Sequence, residues 1–273
     1  MPSAEKRVKS VVSDYATDSY VYGWMSDNEL PRPLQMLDNY LSLDISDPRF
    51  AYSYATAWTF MYMKTGKPDV SLNDVTDELR KEFRAMVYDK YFEVVCGVLE
   101  RYAPYQMYMG CRFFAGSLDD ESIIRVAGHW CDVITYNYYH NWTPNANLLA
   151  NQIKWAGKPV IITEWYVRGM DTWEADNRVN NLGGAGWNVK TQEDRGKFYQ
   201  NFALGLIESK NCVGFDWFYM QDTSPDDKQV SENGGNKGIF DGYGNEYTDF
   251  TKYISELNNQ KYHLISFFDE RSN

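Results

Sequence analysis

The sequence predicts an α/β fold built on a parallel sheet, on three observations. Short apolar β-branched runs alternate with helix-period segments along most of the 273 residues, the order that gives βαβ units. The run Val160 to Ile162 is continuously apolar, as in a strand covered on both faces. Each predicted strand runs out in polar or aromatic residues: Asn28-Glu29, Arg112, Asn137-Tyr138-Tyr139, Glu164-Trp165 and Asp216-Trp217. In a parallel sheet such ends share one face, and five in succession match the rim of a (β/α) barrel, where these folds keep their chemistry.

Taken in order, a helix is expected over about residues 4–15, with Val8, Val11 and Val12 apolar between charges. A strand over Tyr20 to Leu30 ends in Asp27, Asn28 and Glu29, where Pro31 and Pro33 stop regular structure. A helix from about Pro48 to Met63 closes in the turn Thr65 to Pro68. A long helix runs from about Asp74 to Tyr102, since Phe83, Val87, Tyr91, Val94, Val95 and Val98 recur at helical steps. Pro104 follows its end, and Gln106 to Phe114 reads as a strand that ends at Arg112.

A short helix near Asp120 to Ala127 leads to a buried strand, Cys131 to Tyr139. A helix near Ala146 to Trp155 and a Gly157 to Pro159 turn lead to the central strand, which stops at Glu164. A long loop is expected over Val167 to Lys190, with glycines at 169, 183, 184 and 186 but no GxGxxG phosphate cradle. Thr191, with Asp194 three residues on, caps a helix that presents Phe198, Phe202, Leu206 and Ile207 on one face. The last strand, Val213 to Asp222, and a final helix near Thr248 to Asn258 close the chain.

Lys plus Arg is 27 and Asp plus Glu 38, so the net charge is 27 − 38 = −11. That charge disfavours nucleic acid and anionic membrane as partners. There are 22 Tyr and 9 Trp, more than a core needs, and their flat faces suit sugar rings. A Tyr-rich core and surface is the plainer reading, and composition alone does not decide between the two. No stretch of eighteen apolar residues exists and the first ten residues lack an apolar signal segment, so neither a span nor a signal peptide is expected. Cys96, Cys111, Cys131 and Cys212 form no CxxC pair and are expected as buried free thiols. The three histidines have no ligand spacing, so no metal or cofactor is expected in the chemistry. The acidic stretch Asp222 to Asp227 offers oxygen ligands of the kind a structural Ca²⁺ takes.

Glu29 and Glu164 are the most suggestive acids on the predicted rim. Glycoside hydrolysis uses two carboxyl groups: one protonates the leaving oxygen, the other attacks or activates water. A separation of roughly 5–5.5 Å gives retention of configuration. Each acid also has a plainer reading, Glu29 as a loop acid and Glu164 as a solvent-facing strand end. Arg112 is equally a strand-end ion pair, and the plainer reading of Trp165 and Trp217 is packing beneath the rim.

The segments GWMSDNEL, GCRF, ITEWYVRGMD, GAGWNVKTQEDRGKFYQNFALGLIESKNCVGFDWF and NKGI resemble the β-agarases of glycoside hydrolase family 50, over about residues 5–260. The resemblance implies a retaining enzyme on β-1,4 galactosidic bonds of agarose or a related red-algal galactan. It makes Glu29 the acid/base, after strand four, and Glu164 the nucleophile, after strand seven. Asn28 would bond the hydroxyl next to the reacting carbon, and Tyr138 or Tyr139 would orient the nucleophile. Arg112 would help position the substrate or the carboxylate, and Asn137, Trp165 and Trp217 would contact substrate, with Trp217 as sugar platform. The fold implied is a single domain over residues 1–273: a partial TIM (β/α)₈ barrel holding strands four to eight, with the first three βα units absent. A missing N-terminal barrel half is then a partner, beside the polysaccharide. Family members are usually secreted or periplasmic. Competing functions are a carbohydrate-binding or inert remnant, and a related clan enzyme acting on another β-glycan.

Overall fold

The computed structural model describes residues 2–171, 184–223 and 235–271. They form two compact units.

The first unit takes in residues up to 111 together with 119–132. Its elements are α1 (Pro2–Val12), β1 (Gly23–Trp24), α2 (Met36–Leu41), α3 (Ala51–Thr65), α4 (Asp77–Tyr102), β2 (Met107–Tyr108) and α5 (Glu121–Trp130). Helix α4 starts later than its apolar pattern suggests. Asp74 caps a 3-10 turn with Ser71, and Thr76 then accepts the Leu79 N–H as the true N-cap. Helices α1, α2, α3 and α5 all pack on α4. It therefore buries Phe83, Tyr88, Phe92, Val95 and Leu99 rather than one narrow stripe. Met36, Leu37, Ala57, Phe60, Met61 and Phe83 make the core between α2, α3 and α4. Asp120 lies under this layer and is bridged by Arg84 at 2.6 Å and Arg32 at 3.1 Å.

Strands β1 and β2 pair in parallel, Gly23 opposite Met107 and Trp24 opposite Tyr108. The expected strand over Tyr20 to Leu30 is thus only two residues long. Gly23 is required there, because a Cβ would strike the Met109 side chain and approach the Met107 carbonyl at 3.0 Å.

The second unit takes in residues 112–118 and 133 onward. It contains β3 (Phe113–Phe114), β4 (Ile134–Asn137), α6 (Ala146–Ala156), β5 (Val160–Glu164), β6 (Val167–Gly169), β7 (Trp187–Val189), α7 (Gln192–Glu208), β8 (Cys212–Phe215) and α8 (Thr248–Glu270). A parallel four-stranded sheet runs in the order β3-β4-β5-β8, so β5 is central. Every residue of β5 is buried, as its continuous apolar run requires. Helix α6 is capped by Asn145 and ends at Gly157 in the left-handed region. Helix α7 begins as the sequence indicates, with Thr191 accepting the Asp194 N–H at 3.0 Å.

Three expectations are corrected. Gln106 to Phe114 is two short strands, because Gly110 and Arg112 take φ of +73° and +50° and break the run. Arg112 consequently precedes a strand instead of ending one. The loop over Val167 to Lys190 contains the parallel pair β6 and β7, Val167 opposite Trp187; residues 172–183 of it lie outside the described residues. The final helix extends to Glu270, beyond the Asn258 expected. All four cysteines are free, three of them buried and Cys212 half-buried. No described helix is long and apolar enough to cross a membrane.

Candidate functional site

Glu164 is the last residue of β5 and its side chain is 9% exposed. Its backbone carbonyl accepts the Tyr138 N–H at 2.7 Å, across a register shift in the β4–β5 pairing that sets Asn137 opposite Glu164. The carboxylate is clamped from two sides. The Tyr139 hydroxyl donates to Oε2 at 2.7 Å, and the Arg112 guanidinium donates to Oε1 in a close ion pair. Arg112 reaches it from a left-handed residue whose N–H bonds Thr135 Oγ1 at 3.1 Å. Two donors of fixed direction leave this carboxylate a single orientation.

The remaining predicted residues of this unit separate into two groups. Tyr139 is half-buried and touches Glu164. Tyr138 is 3% exposed, its ring packs edge-on to Phe202, and its hydroxyl accepts the Asn145 N–H at 2.7 Å. Of the two tyrosines, Tyr139 therefore contacts the carboxylate through its side chain, and Tyr138 shapes the turn into α6. Asn137 is fully buried and accepts the Thr163 hydroxyl at 2.9 Å. Trp165 is corrected. It is 1% exposed and stacked between Tyr199 and Phe202, with Trp217 against its edge. A ring enclosed in this way packs beneath the strand ends and offers no face to a sugar. Trp217 is half-buried, donates its indole N–H to the Lys237 carbonyl at 2.7 Å, and lies 4.8 Å from the Phe250 ring.

Asp216 follows β8, and its N–H donates to the Ile162 carbonyl at 2.8 Å. Burial raises its carboxyl above the ordinary range, with Arg112 pulling the other way. Asp222 has its carboxylate filled by the Lys237 and Gly238 N–H groups at 3.1 and 2.7 Å and by the Tyr247 hydroxyl at 3.0 Å. Those are protein donors at the first residue of the acidic stretch proposed for Ca²⁺; residues 224–227 of it lie outside the described residues.

In the first unit, Asn28 and Glu29 follow β1 in a loop held down by α4. The Tyr91 hydroxyl donates closely to the Asp27 carboxylate and accepts from the Ser26 hydroxyl at 2.8 Å, and the Tyr88 hydroxyl donates to the Pro31 carbonyl at 3.0 Å. Asn28 is exposed and Glu29 half-buried with φ of +53°. A non-glycine residue at positive φ is uncommon.

Two residues were passed over at the sequence level, although the quoted motifs contain them. Arg168 stands in ITEWYVRGMD and Lys237 in NKGI. Both are buried, at 1% and 4% exposure. Lys237 lies near enough to Glu164 to feel its charge. No hydropathy or spacing signal distinguishes them; only their burial does.

Beta-agarase B of Vibrio sp. (strain JT0107) is 24% identical to the chain over 190 residues, which are 67% of this chain and 18% of that protein. The crystal structure of BpGH50 matches with a TM-score of 0.79 at 32% identity, over 97% of this chain and 56% of that one. The structure of PfGH50B also gives a TM-score of 0.79, at 19% identity, over 96% of this chain and 41% of that one, a likeness of fold. No protein-family profile matches. The chain spans 56% or less of the length of each of these relatives. By sequence and by fold together, the chain is similar to a β-agarase and to the BpGH50 and PfGH50B structures over about two thirds or more of its own length.

Proposed function

We propose that the chain carries both carboxylates of a retaining glycoside hydrolase that cleaves β-1,4 galactosidic bonds of agarose or a related red-algal galactan. One observation carries this reading: Glu164 at the end of a buried parallel strand, held in a single orientation by Arg112 and Tyr139. A nucleophile must attack along one direction, and fixing it beforehand removes orientational cost from the barrier. Glu164 then forms the glycosyl-enzyme bond as Glu29 protonates the leaving oxygen, and Glu29 afterwards activates water to release the sugar. Asn28 bonds the hydroxyl beside the reacting carbon, and the half-buried Trp217 is the platform.

The sheet belongs to a (β/α)₈ barrel of which this chain supplies strands four to eight. Among the described strands β8 pairs only with β5, and a barrel strand has neighbours on both sides. The N-terminal half of such a barrel is the partner that completes the site.

The experiment mixes the purified chain with the N-terminal barrel half of a related agarase and follows reducing-sugar release from agarose. Glu164→Gln and Glu29→Gln should each lower the rate at least about 100-fold with unchanged circular dichroism. The anomeric proton of the first product should show retention. Either variant keeping more than about a tenth of the rate removes that residue from its role. Agarose binding without hydrolysis under every mixture would favour the binding-remnant reading.

A further inference from the structure

Lys237 is a buried cation near Glu164, Arg168 is a buried cation near Lys237, and among the described residues neither pairs with a carboxylate. Arg168, on β6, donates to the Tyr166 hydroxyl at 3.3 Å and lies 5.2 Å from the centre of that ring. Its Nε is buried and makes no hydrogen bond. The Lys237 ammonium sits 4.7 Å from the centres of the Tyr166 and Phe218 rings and 4.8 Å from that of Tyr219. Among the described residues neither cation has an acidic oxygen within 4.0 Å. Glu164 is occupied by Arg112 and Tyr139, and Asp222 by two backbone N–H groups and Tyr247.

Among the described residues the other buried cations have fixed partners. Arg84 pairs with Asp120. Arg195, fully buried, donates to the Val167 and Gly238 carbonyls and to Gln192. A structural role explains those two. Arg168 and Lys237 instead lie against the same Tyr166 ring, and their like charges repel. Burial first, and Arg168 second, push the Lys237 ammonium down to about 8, with Asp222 and Glu164 offsetting only part. Buried charge that is only partly compensated is costly, and an anion bound between the two cations would remove that cost. The free guanidinium edge and the ammonium supply directed donors for two or three oxygens.

We propose that Arg168 and Lys237 form a subsite for an oxyanion, a sulfate ester or a carboxylate, carried by the sugar residue bound beside Glu164. The identity of the carrier as a galactan rests on the function proposed above; the anion site itself rests on the two cations. The substrate class is then an acidic galactan, with neutral agarose bound less tightly at this position.

The test is thermal unfolding of the intact chain at constant ionic strength with galactose 6-sulfate, galacturonate, inorganic sulfate or neutral galactose. At least one of the two sugar anions should raise Tm saturably, by about 3 °C at ten times its Kd, while galactose does nothing. Which sugar anion acts distinguishes sulfate ester from carboxylate. Arg168→Met and Lys237→Met should each abolish the response, yet unfold no earlier than the wild type without anion, since each removes one of two repelling charges. A structural role predicts the reverse, earlier unfolding with the anion response kept, and that result overturns the proposal. So does a response to inorganic sulfate alone, or to none of the anions.

If the variants misfold, the wild-type pH profile decides. The groups around the ammonium are Arg168, Glu164, Asp222 and the phenols of Tyr166 and Tyr219. Between pH 7 and pH 10 Lys237 discharges, so the response should fade; a flat profile overturns the subsite. Hydrolysis of neutral agaro-oligosaccharides by the reconstituted barrel, assayed in parallel, keeps the two proposals apart. Hydrolysis without an anion response removes only the subsite, and an anion response without hydrolysis removes only the hydrolase.

Discussion

Asp120 and Tyr139 show how differently a single buried contact acts in the two units. Asp120 is 6% exposed at its side chain and holds Arg84, Arg32 and Ser122. Burial alone would raise its carboxyl, but these donors outweigh it and hold it below the ordinary 3.8. A lowered folded value means stability that is fully present above the unfolded pKa and is lost as pH falls through the folded one. Asp120→Ala should therefore destabilise the first unit by about 3 kcal/mol at pH 7, because it strands a buried guanidinium. The gap between variant and wild type should close below about pH 4. Urea unfolding at several pH values, followed by Trp fluorescence, checks both the size and the sign. Tyr139→Phe deletes one of the two donors that fix Glu164. The expected outcome in the reconstituted enzyme is a fall in kcat of about 10-fold with KM little changed. A change confined to KM would mean that Tyr139 binds sugar and does not orient the carboxylate.

Helix α7 and helix α8 pack through a glycine. A Cβ at Gly196 would clash with the ring of Tyr253 and lie 2.7 Å from its Cβ, an atom that no rotamer change can move. Gly196→Ala gains helix propensity, worth about 1 kcal/mol. It should nonetheless destabilise the second unit, since overpacking of this kind costs about 1–3 kcal/mol. The Tyr253 hydroxyl, now bonded to Glu193 at 2.9 Å, should lose that partner. Thr191→Ala is the milder comparison at the same helix: it removes only the cap on Asp194 and should cost about 1 kcal/mol. Chemical denaturation of the three proteins ranks them, and a Gly196→Ala chain more stable than wild type would show that the helices can separate without loss.

At the scale of the whole molecule, unpaired sheet edges dominate the expected behaviour. Strand β8 has β5 on one side only among the described strands, and Val213 on it is 65% exposed. An open edge with an exposed β-branched residue is a template for pairing with another chain. The chain alone should self-associate with rising concentration, and Val213→Lys should suppress this, because a lysine on an edge opposes strand addition. Light scattering coupled to size exclusion reads both. A wild-type chain that stays monomeric over a hundredfold range of concentration would mean that the β8 edge is covered.

The sequence by itself determined the parallel strands, the cap of α7, the buried run of β5 and the acid that ends it. These are local matters: hydrophobic period, a Thr with the right neighbour, a turn signal before a strand. It also marked Glu29 and Glu164 as the acids of interest, by position and by resemblance. Only the tertiary structure decided what each side chain touches. Trp165 and Trp217 look alike in sequence, yet one is sealed among Tyr199 and Phe202 and the other stays half-buried. Tyr138 and Tyr139 are neighbours just past β4, yet one ring packs on Phe202 of α7 and the other reaches the carboxylate. Arg112 was misplaced because backbone sign is invisible in composition: φ turns positive at two residues of an otherwise strand-like run. Arg168 and Lys237 went unseen for the same kind of reason. A buried, unmatched charge is a property of the space around a residue, set by segments far apart in the chain, and no local pattern encodes it.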